Sequence, residues 1–197
     1  MKKYILSGMA ALLVFTAGCQ KAEPEEPASS APGCDVFLTC ADMSGYAEFD
    51  NTDGIFYETT PEDLYKAAIE EKQTIVAFFG FAQCPWCNDA LPVLNGVAKE
   101  DNLKIAYINT RNNDTAKSNI EMDGYDTVLK LIGDTLEEDD AGIPHLYVPY
   151  VCVFKDGKEA GFHTGTLDSY DPEEREMTDE ETAELRSIYT DLLAKAK

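Results

Sequence analysis

Short runs of apolar, β-branched and aromatic residues divide the chain into predicted strands. The run at 74–81, TIVAFFGF, is almost entirely apolar and too short for a helix, which is typical of a central strand buried on both faces. Asp156 and Gly157 separate the last two runs and predict a hairpin turn. The predicted strands are 55–57, 74–81, 103–109, 149–155 and 158–163.

Apolar residues at helical spacing predict helices in the segments between and after these strands. Thr60, followed by a proline and two acidic residues, indicates a helix start, and Thr178 with Glu181 forms a capping box before the last helix. Another helix begins after Cys84 and contains Pro92, which should kink it. The predicted helices are 61–72, 85–99, 125–136 and 178–196.

The order of these elements is β-α-β-α-β-α-β-β-α. Because a helix connects strands 74–81 and 103–109, these two strands should be parallel. The order predicts an α/β fold with a central mixed sheet flanked by helices and an antiparallel hairpin near its end. Residues 34–54 predict an irregular lead-in, and 110–147 form a long polar insertion with one helix and an acidic loop at 137–140.

The first residues predict a leader that is not part of the fold. Lys2 and Lys3 precede an uncharged run at 5–17, which is too short for a membrane span and has the length of a signal-peptide core. The run leads into TAGC, which resembles a bacterial lipoprotein signal, although Thr16 stands where leucine is usual. The resemblance implies cleavage before Cys19 and lipid attachment to it, which would anchor the protein to the membrane; the alternative is an ordinary secretory signal with an incidental cysteine. Either signal predicts an extracytoplasmic protein, in a compartment where disulfides persist.

Composition and charge narrow the classes of partner. The 197 residues are 44% hydrophobic and 10% aromatic, enough for one domain with a buried core. The 16 Lys and Arg side chains against 37 Asp and Glu give a net charge of −21, which argues against nucleic acid as a partner. Residues 20–33 are rich in Pro, Glu, Ala and Ser and predict a flexible tether. The predicted organisation is a signal peptide at 1–18, a lipidated cysteine and tether at 19–33, the lead-in at 34–54 and one domain at 55–197.

The motif Cys84-Pro85-Trp86-Cys87 lies where the predicted central strand gives way to a helix. The free N–H groups and the positive dipole of a helix N-terminus stabilise a thiolate, so the pKa of a cysteine there falls. Cys84 is therefore expected to be an exposed nucleophile, and Cys87, one turn further in, to be the resolving thiol of a redox pair.

Three other interpretations of the motif compete with a redox site. A zinc site needs two further ligands, and the chain offers only His145 and His163 as histidines. A structural disulfide across two residues would close very little chain. Haem attachment needs a histidine where Asn88 stands. The motif therefore favours redox chemistry without a metal or a cofactor.

The remaining cysteines predict structural roles. Cys34 and Cys40 in the lead-in predict a disulfide, with an accessory redox pair as the alternative. Cys152 lies in the middle of a predicted strand, where a buried cysteine behaves as a small hydrophobic residue. His145 could approach the site from the loop before the fourth strand, although a lone loop histidine is more often solvated, and the same holds for His163.

Two stretches together resemble the thioredoxin family. TIVAFFGFAQCPWCNDALPVL combines a buried strand, the two cysteines and a helix with Pro92 five residues past the second cysteine. VPYVCVFKDGK resembles the family's cis-proline strand, with Val148 and Pro149 as the pair, and Gly165 falls where the family has a glycine beside its site. The resemblance covers about 55–167 and the final helix.

The resemblance implies a thioredoxin-like fold with Cys84 and Cys87 as the redox pair. Pro149 would be cis and lie against the disulfide, where it would block metal binding and shape a substrate groove. Val148 would offer its backbone to an extended peptide, and Trp86 would affect access and thiolate stability. The alternative for the proline is a trans peptide bond at the start of a strand.

One departure from the family pattern concerns Phe78, which stands where thioredoxins carry a buried aspartate. The general base proposed to deprotonate the second thiol is therefore missing. The chain is similar to lipid-anchored or bacteriocin-transport-accessory thioredoxin-like proteins of Gram-positive bacteria. We expect a membrane-tethered thiol–disulfide oxidoreductase that acts on exported protein thiols or disulfides and exchanges electrons with a membrane redox partner. The alternative is a redox-inert adaptor lipoprotein for a transporter or client protein.

Overall fold

The computed structural model describes residues 39–47, 49–112, 114 and 116–197 of the chain. The predicted signal peptide, the tether, Cys19 and Cys34 lie outside these residues.

The described part of the chain contains seven strands and four α-helices. The strands are β1 (Phe56–Glu58), β2 (Ile75–Gly80), β3 (Ile105–Asn109), β4 (Glu137–Glu138), β5 (Pro144–His145), β6 (Tyr150–Lys155) and β7 (Lys158–Thr164). The helices are α1 (Pro61–Tyr65), α2 (Pro85–Glu100), α3 (Tyr125–Ile132) and α4 (Asp179–Leu193). Short helical turns extend α1 at Lys66–Glu70, precede α3 at Asn119–Glu121 and follow α3 and α4 at Gly133–Thr135 and Ala194–Ala196.

The central sheet has five strands in the order β1-β3-β2-β6-β7. Strands β1 and β2 run parallel to β3, whereas β6 is antiparallel to β2 and to β7. The parallel pairing follows because helix α2 carries the chain from β2 back to the start of β3. The predicted fold class, an α/β thioredoxin-like fold with a central mixed sheet flanked by helices, is confirmed.

Two hydrophobic cores lie on opposite faces of the sheet, since successive side chains of a strand point in opposite directions. Val76 and Phe78 of β2 face a core shared with α2 and α4. Ala77 and Phe79 face a core shared with α1 and α3. All four side chains are buried, as expected of a central strand covered on both faces. The end of β2 is thereby held rigidly where α2 begins.

The predicted hairpin turn after β6 and the predicted cap of the last helix are both confirmed. Asp156 and Gly157 both have positive φ, 56° and 80°, as a two-residue hairpin turn between β6 and β7 requires. The side chain of Thr178 accepts a hydrogen bond from the backbone N–H of Glu181, and the Glu181 carboxylate accepts one from the backbone N–H of Thr178, so the predicted capping box starts α4. Helix α2 runs through Pro92 without a break.

Two predictions about the insertion and the first helix need correction. The segment at 137–140 is not an acidic loop, because Glu137 and Glu138 pair with β5 in a small two-stranded sheet. Asp139 closes the connection, since its carboxylate accepts the backbone N–H groups of Ala141 and Ile143. The helix predicted at 61–72 is α-helical only to Tyr65 and then continues as a π-helical turn.

No helix in the ranges that the structure describes combines the length and the apolarity needed to cross a membrane.

Candidate active site

The four residues of the CPWC motif form the junction between β2 and α2. Cys84 is the N-cap residue of α2, with extended backbone angles, and its sulfur accepts the N–H of Cys87 at 3.2 Å. Pro85 occupies the first helical position, where its missing N–H costs no hydrogen bond, and it is exposed. Trp86 is half-buried and packs against the core between the sheet, α2 and α4. The local sequence therefore places both sulfurs at the N-terminus of a helix.

The structure corrects the expectation that Cys84 is exposed, because only 4% of its surface reaches solvent. As the N-cap residue, Cys84 turns its side chain back over the first turn of the helix. The carbonyl oxygen of Val148, from the loop before β6, lies 3.6 Å from its sulfur and helps to cover it. Cys87 is fully buried, as expected for a thiol one turn further in.

The two thiols have opposite pKa shifts. The hydrogen bond from Cys87 holds the pKa of Cys84 below its usual value, helped by the backbone N–H groups of Cys87 and Trp86 and by the charge of Arg111, while burial opposes the shift. Burial raises the pKa of Cys87 well above the usual value, and its hydrogen bond to Cys84 adds to this. Cys84 is thus the thiol that ionises first, and Cys87 remains protonated beside it.

The loop before β6 faces the Cys84 sulfur. The Val148–Pro149 peptide bond is cis, Pro149 is buried, and Val148 is half-buried. Gly165, at the end of β7, donates its N–H to the Pro149 carbonyl at 2.8 Å, so the two ends of the β6–β7 hairpin are joined beside the site. Tyr147 precedes this pair and is 46% exposed, which leaves an aromatic surface in the loop that faces the thiol.

Phe78 and Gly80 of β2 lie next to the buried Cys87. A Cβ atom built on Gly80 would lie 2.7 Å from the Phe78 ring and 3.0 Å from the Cys87 sulfur, so ring and sulfur meet over this glycine. Phe78 is fully buried and stacks on Tyr107 with ring centroids 6.0 Å apart. The hydroxyl groups of Tyr107 and Tyr46 lie 3.2 Å apart. Burial raises the pKa of Tyr107 to about 12, so this hydroxyl stays protonated near neutral pH.

The sequence pattern did not single out four polar side chains of the site as functional: Tyr46, Asn88, Arg111 and Asn119. Asn88 donates to the carbonyl groups of Ala82 and Cys84, while Arg111 lies over the ring of Phe81. Three of the four belong to the lead-in or to the insertion. Polar loop residues follow no hydrophobic period, so only contacts between distant segments reveal them.

The two other cysteines in the described part of the chain, Cys40 and Cys152, do not belong to the thiol pair. Cys40 is disulfide-bonded, and because Cys84, Cys87 and Cys152 are free, its partner lies outside the described residues. The pairing of Cys40 with Cys34 therefore stays a prediction. Cys152 is fully buried in β6, and burial raises its pKa well above the usual value.

The contacts of the two histidines involve residues other than the two thiols. His145 pairs with Glu137 in the small sheet and packs against Tyr147, with ring centroids 4.6 Å apart. His163 bonds through Nε2 to the carbonyl of Thr166 at 2.7 Å and packs edge-on against Tyr189. Among the residues whose placement is described, no group of three or more His, Cys, Asp or Glu side chains could hold a metal ion.

A cavity of about 900 Å³ opens beside the start of the motif. Ala82, Tyr46 and Tyr107 belong to its wall, together with five carboxylate side chains: Asp42, Glu58, Glu62, Asp63 and Asp123. This negative wall disfavours the approach of acidic segments of another protein from that side of the motif.

No protein-family model matches the chain, and no curated protein matches its sequence. Solved structures of similar architecture include thioredoxin O2 from Arabidopsis thaliana in its oxidised state, at 15% identity over 70% of this chain and 94% of that one, with a TM-score of 0.42. The thioredoxin of Fasciola hepatica is similar at 17% identity over 66% of this chain and 89% of that one, with a TM-score of 0.36. Neither similarity identifies a substrate for this chain.

Proposed function

We propose that the protein is a thiol–disulfide oxidoreductase that uses Cys84 as nucleophile and Cys87 as resolving thiol. The single observation that carries this proposal is the position of the two free thiols at the N-terminus of α2, with a lowered pKa at Cys84 and a raised pKa at Cys87. An inert pair would have no need of a stabilised thiolate, whereas exchange needs one as nucleophile and leaving group.

The reaction proceeds in two exchange steps. The Cys84 thiolate attacks one sulfur of a substrate disulfide, forms a mixed disulfide and releases the other substrate sulfur as a thiolate. Cys87 then loses its proton and attacks the Cys84 sulfur, which releases the second substrate sulfur. The substrate gains two electrons and two protons overall, and the protein ends with a Cys84–Cys87 disulfide. The same steps in reverse oxidise a substrate dithiol.

The surroundings of Cys84 support an extended protein segment as the substrate. With 4% of Cys84 exposed, a bulky folded surface cannot reach the sulfur, whereas a single strand can lie along the loop that ends in Pro149. Val148 would hold such a segment through its backbone, and the exposed ring of Tyr147 would contact its side chains. The substrates of this proposal are exported proteins with accessible thiols or disulfides, and a membrane redox partner would recycle the pair.

The proposed setting is the outer side of a bacterial cell membrane, with the chain anchored through a lipid on Cys19. The signal-like sequence ahead of Cys19 supports this location, as does the disulfide at Cys40, because structural disulfides persist mainly in oxidising compartments. Incorporation of a labelled fatty acid into the wild type and not into Cys19→Ala tests the anchor. Equal labelling of the two proteins contradicts it.

Insulin reduction and dithiol oxidation by four purified proteins test the catalytic proposal: the wild type, Cys84→Ser, Cys87→Ser and Cys152→Ser. We expect Cys84→Ser to be inactive and Cys87→Ser to accumulate a mixed disulfide that a thiol reagent releases. Cys152→Ser, which removes a buried thiol from another strand, is the matched control and should keep its activity. Wild-type activity in folded Cys84→Ser would overturn the proposal.

A redox-inert adaptor is the second candidate, and the near-complete burial of Cys84 favours it. The reduction potential separates the two functions, since structural disulfides have potentials below about −300 mV and catalytic ones lie higher. A potential below that value, with no alkylation of Cys84 after mild reduction, would support the adaptor.

A further inference from the structure

Arg111, the second residue after β3, brings a positive charge to the loop that leads into the CPWC motif. Its guanidinium carbon lies 4.4 Å from the centroid of the Phe81 ring, a cation–π arrangement. The carbonyl of Phe81 in turn accepts the N–H of Cys84 at 3.1 Å. The cation is therefore stacked on the residue that holds the backbone of the nucleophile.

Asn119, in the short helical turn before α3, fixes the position of this guanidinium. Its side chain is 7% exposed, and its Oδ1 accepts hydrogen bonds from Arg111 Nε at 3.1 Å and from the Thr110 hydroxyl at 3.0 Å. A guanidinium held both by a stacked ring and by a directed hydrogen bond loses much of its rotational freedom. Its charge is thus held over the ring of Phe81, three residues before Cys84.

The same amide also holds the loop that covers Cys84. Asn119 Nδ2 donates a 2.8 Å hydrogen bond to the carbonyl of Leu146, which is fully buried. Two residues later, the carbonyl of Val148 lies 3.6 Å from the Cys84 sulfur. One buried side chain therefore links the Arg111 cation to the loop whose Val148 carbonyl faces the Cys84 sulfur.

We propose that Arg111 and Asn119 are positioning residues of the redox pair: Asn119 holds the Arg111 cation where it stabilises the Cys84 thiolate and, with its amide nitrogen, fixes the loop that faces the sulfur. This inference rests on the proposed oxidoreductase function. It gives the insertion at 110–147 a role, because both residues belong to it.

The positive charge of Arg111 favours the ionised form of Cys84. The charge of Arg111 is among the causes that lower the pKa of Cys84, and Cys87 and Tyr46 are titratable groups that also interact with this thiol. In a chain of net charge −21, a fixed cation near the thiol opposes the negative field of the carboxylates. Arginine suits the task because its guanidinium stays charged at every relevant pH.

The test is a pH titration of the thiolate ultraviolet absorbance of the reduced protein, without any substrate. We expect Arg111→Gln to lower the thiolate fraction at Cys84 near neutral pH roughly threefold. Arg111→Lys should recover part of the loss, because lysine keeps the charge but neither the planar stacking nor the bond to Asn119. Lys130→Gln removes one exposed positive charge from the same insertion and should leave the titration unchanged.

The Asn119 part of the proposal has its own measurement. Asn119→Ala leaves the Arg111 charge in the protein but releases it, so the thiolate fraction should fall in the same direction as in Arg111→Gln. If Asn119→Ala does not fold, Asn119→Ser, which keeps a small hydrogen-bonding group, takes its place. If Arg111→Gln titrates like the wild type, the role of the cation is overturned. If the folded Asn119 variants titrate like the wild type, the role of the amide is overturned.

The outcome is independent of turnover. A wild type that lacks exchange activity but shows the shift in Arg111→Gln would contradict the proposed function and leave the thiolate stabilisation standing. If the wild type is active and the Cys84 thiol titrates identically in the wild type and in Arg111→Gln, only this inference is contradicted.

Discussion

The side chain of Asn88 ties the lead-in to the first turn of α2, because its Oδ1 accepts the backbone N–H of Ala47 at 2.7 Å. Its Nδ2 donates to the carbonyl groups of Ala82 at 2.8 Å and Cys84 at 2.9 Å. One amide therefore satisfies three backbone groups from two segments that are far apart in the sequence. Asn88 thereby connects the CPWC motif to the lead-in through side-chain hydrogen bonds.

Two substitutions of Asn88 should separate its effect on the free energy of unfolding from its effect on the pKa of Cys84. We expect Asn88→Ala to lower the free energy of unfolding by about 1–3 kcal/mol, because the Ala47 N–H and the Ala82 carbonyl lose this partner. The Cys84 carbonyl still accepts the backbone N–H of residue 88, at 3.2 Å in the wild type. Asn88→Asp keeps the acceptor for Ala47 but places a negative charge in the first turn, so the pKa of Cys84 should rise. Urea unfolding and thiol titration of both variants measure these effects. An unchanged Cys84 titration in Asn88→Asp would contradict the electrostatic part.

Gly80 is expected to tolerate no side chain, because a Cβ atom there would lie 2.7 Å from the Phe78 ring and 3.0 Å from the Cys87 sulfur. Gly80→Ala should therefore destabilise the protein by about 1–3 kcal/mol through overpacking. Gly133→Ala is the matched control, since its nearest neighbours would be 3.7 Å and 3.8 Å away and its φ of −57° is helical. The control should be neutral or stabilising by up to about 1 kcal/mol in thermal or urea unfolding. Equal effects of the two substitutions would refute the close-packing explanation.

Phe78→Asp would place a carboxylate under Cys87, where the family pattern has one. Phe78→Asn is the matched control, because it has the same shape without the charge, and both substitutions should cost roughly 3–5 kcal/mol through loss of the buried ring. The aspartate should accept the Cys87 proton and speed the release of substrate thiol from the mixed disulfide, relative to the asparagine variant. Single-turnover kinetics on the folded fraction measures this difference. Equal rates in the two variants would show that deprotonation of Cys87 does not limit the second step.

The stability of the reduced protein should depend on pH in opposite ways below and above about pH 9, the pKa of a free cysteine thiol. Cys84 has a lowered pKa in the folded state, so its contribution is fully present above that pH and is lost as the pH falls through its folded pKa. Cys87 has a raised pKa, so its contribution is present below that pH and is lost as the pH rises further.

Urea unfolding of the reduced protein across this range should show stability rising towards about pH 9 and falling beyond it, relative to the oxidised protein, whose paired sulfurs do not titrate. Cys84→Ser should lose the rising part and keep a falling part, because burial is the main cause of the raised pKa of Cys87. The same pH profile in the reduced wild type and in Cys84→Ser would contradict the assignment of the lowered pKa to Cys84.

Local signals in the sequence were enough to predict most of the helices and strands. The turn at Asp156 and Gly157, the cap at Thr178 and the buried strand before Cys84 depend on residues within a few positions of each other. The order of the elements then favoured a mixed α/β sheet, because a parallel pair of strands needs a helical crossover. The small sheet of β4 and β5 was missed, since its pairing depends on a turn formed by an acidic side chain in a segment without apolar residues at regular spacing.

The sequence by itself determined the fold class, the place of the CPWC motif at a helix N-terminus and the order of its two cysteines, because helix position alone distinguishes an N-cap sulfur from one a turn further in. Only the tertiary structure decided that Cys84 is covered, since the covering carbonyl of Val148 lies 64 residues further along the chain. It also decided which polar residues surround the pair. Asn88, Arg111 and Asn119 act through contacts with segments distant in sequence, and no local spacing encodes a contact that exists only after the chain has folded.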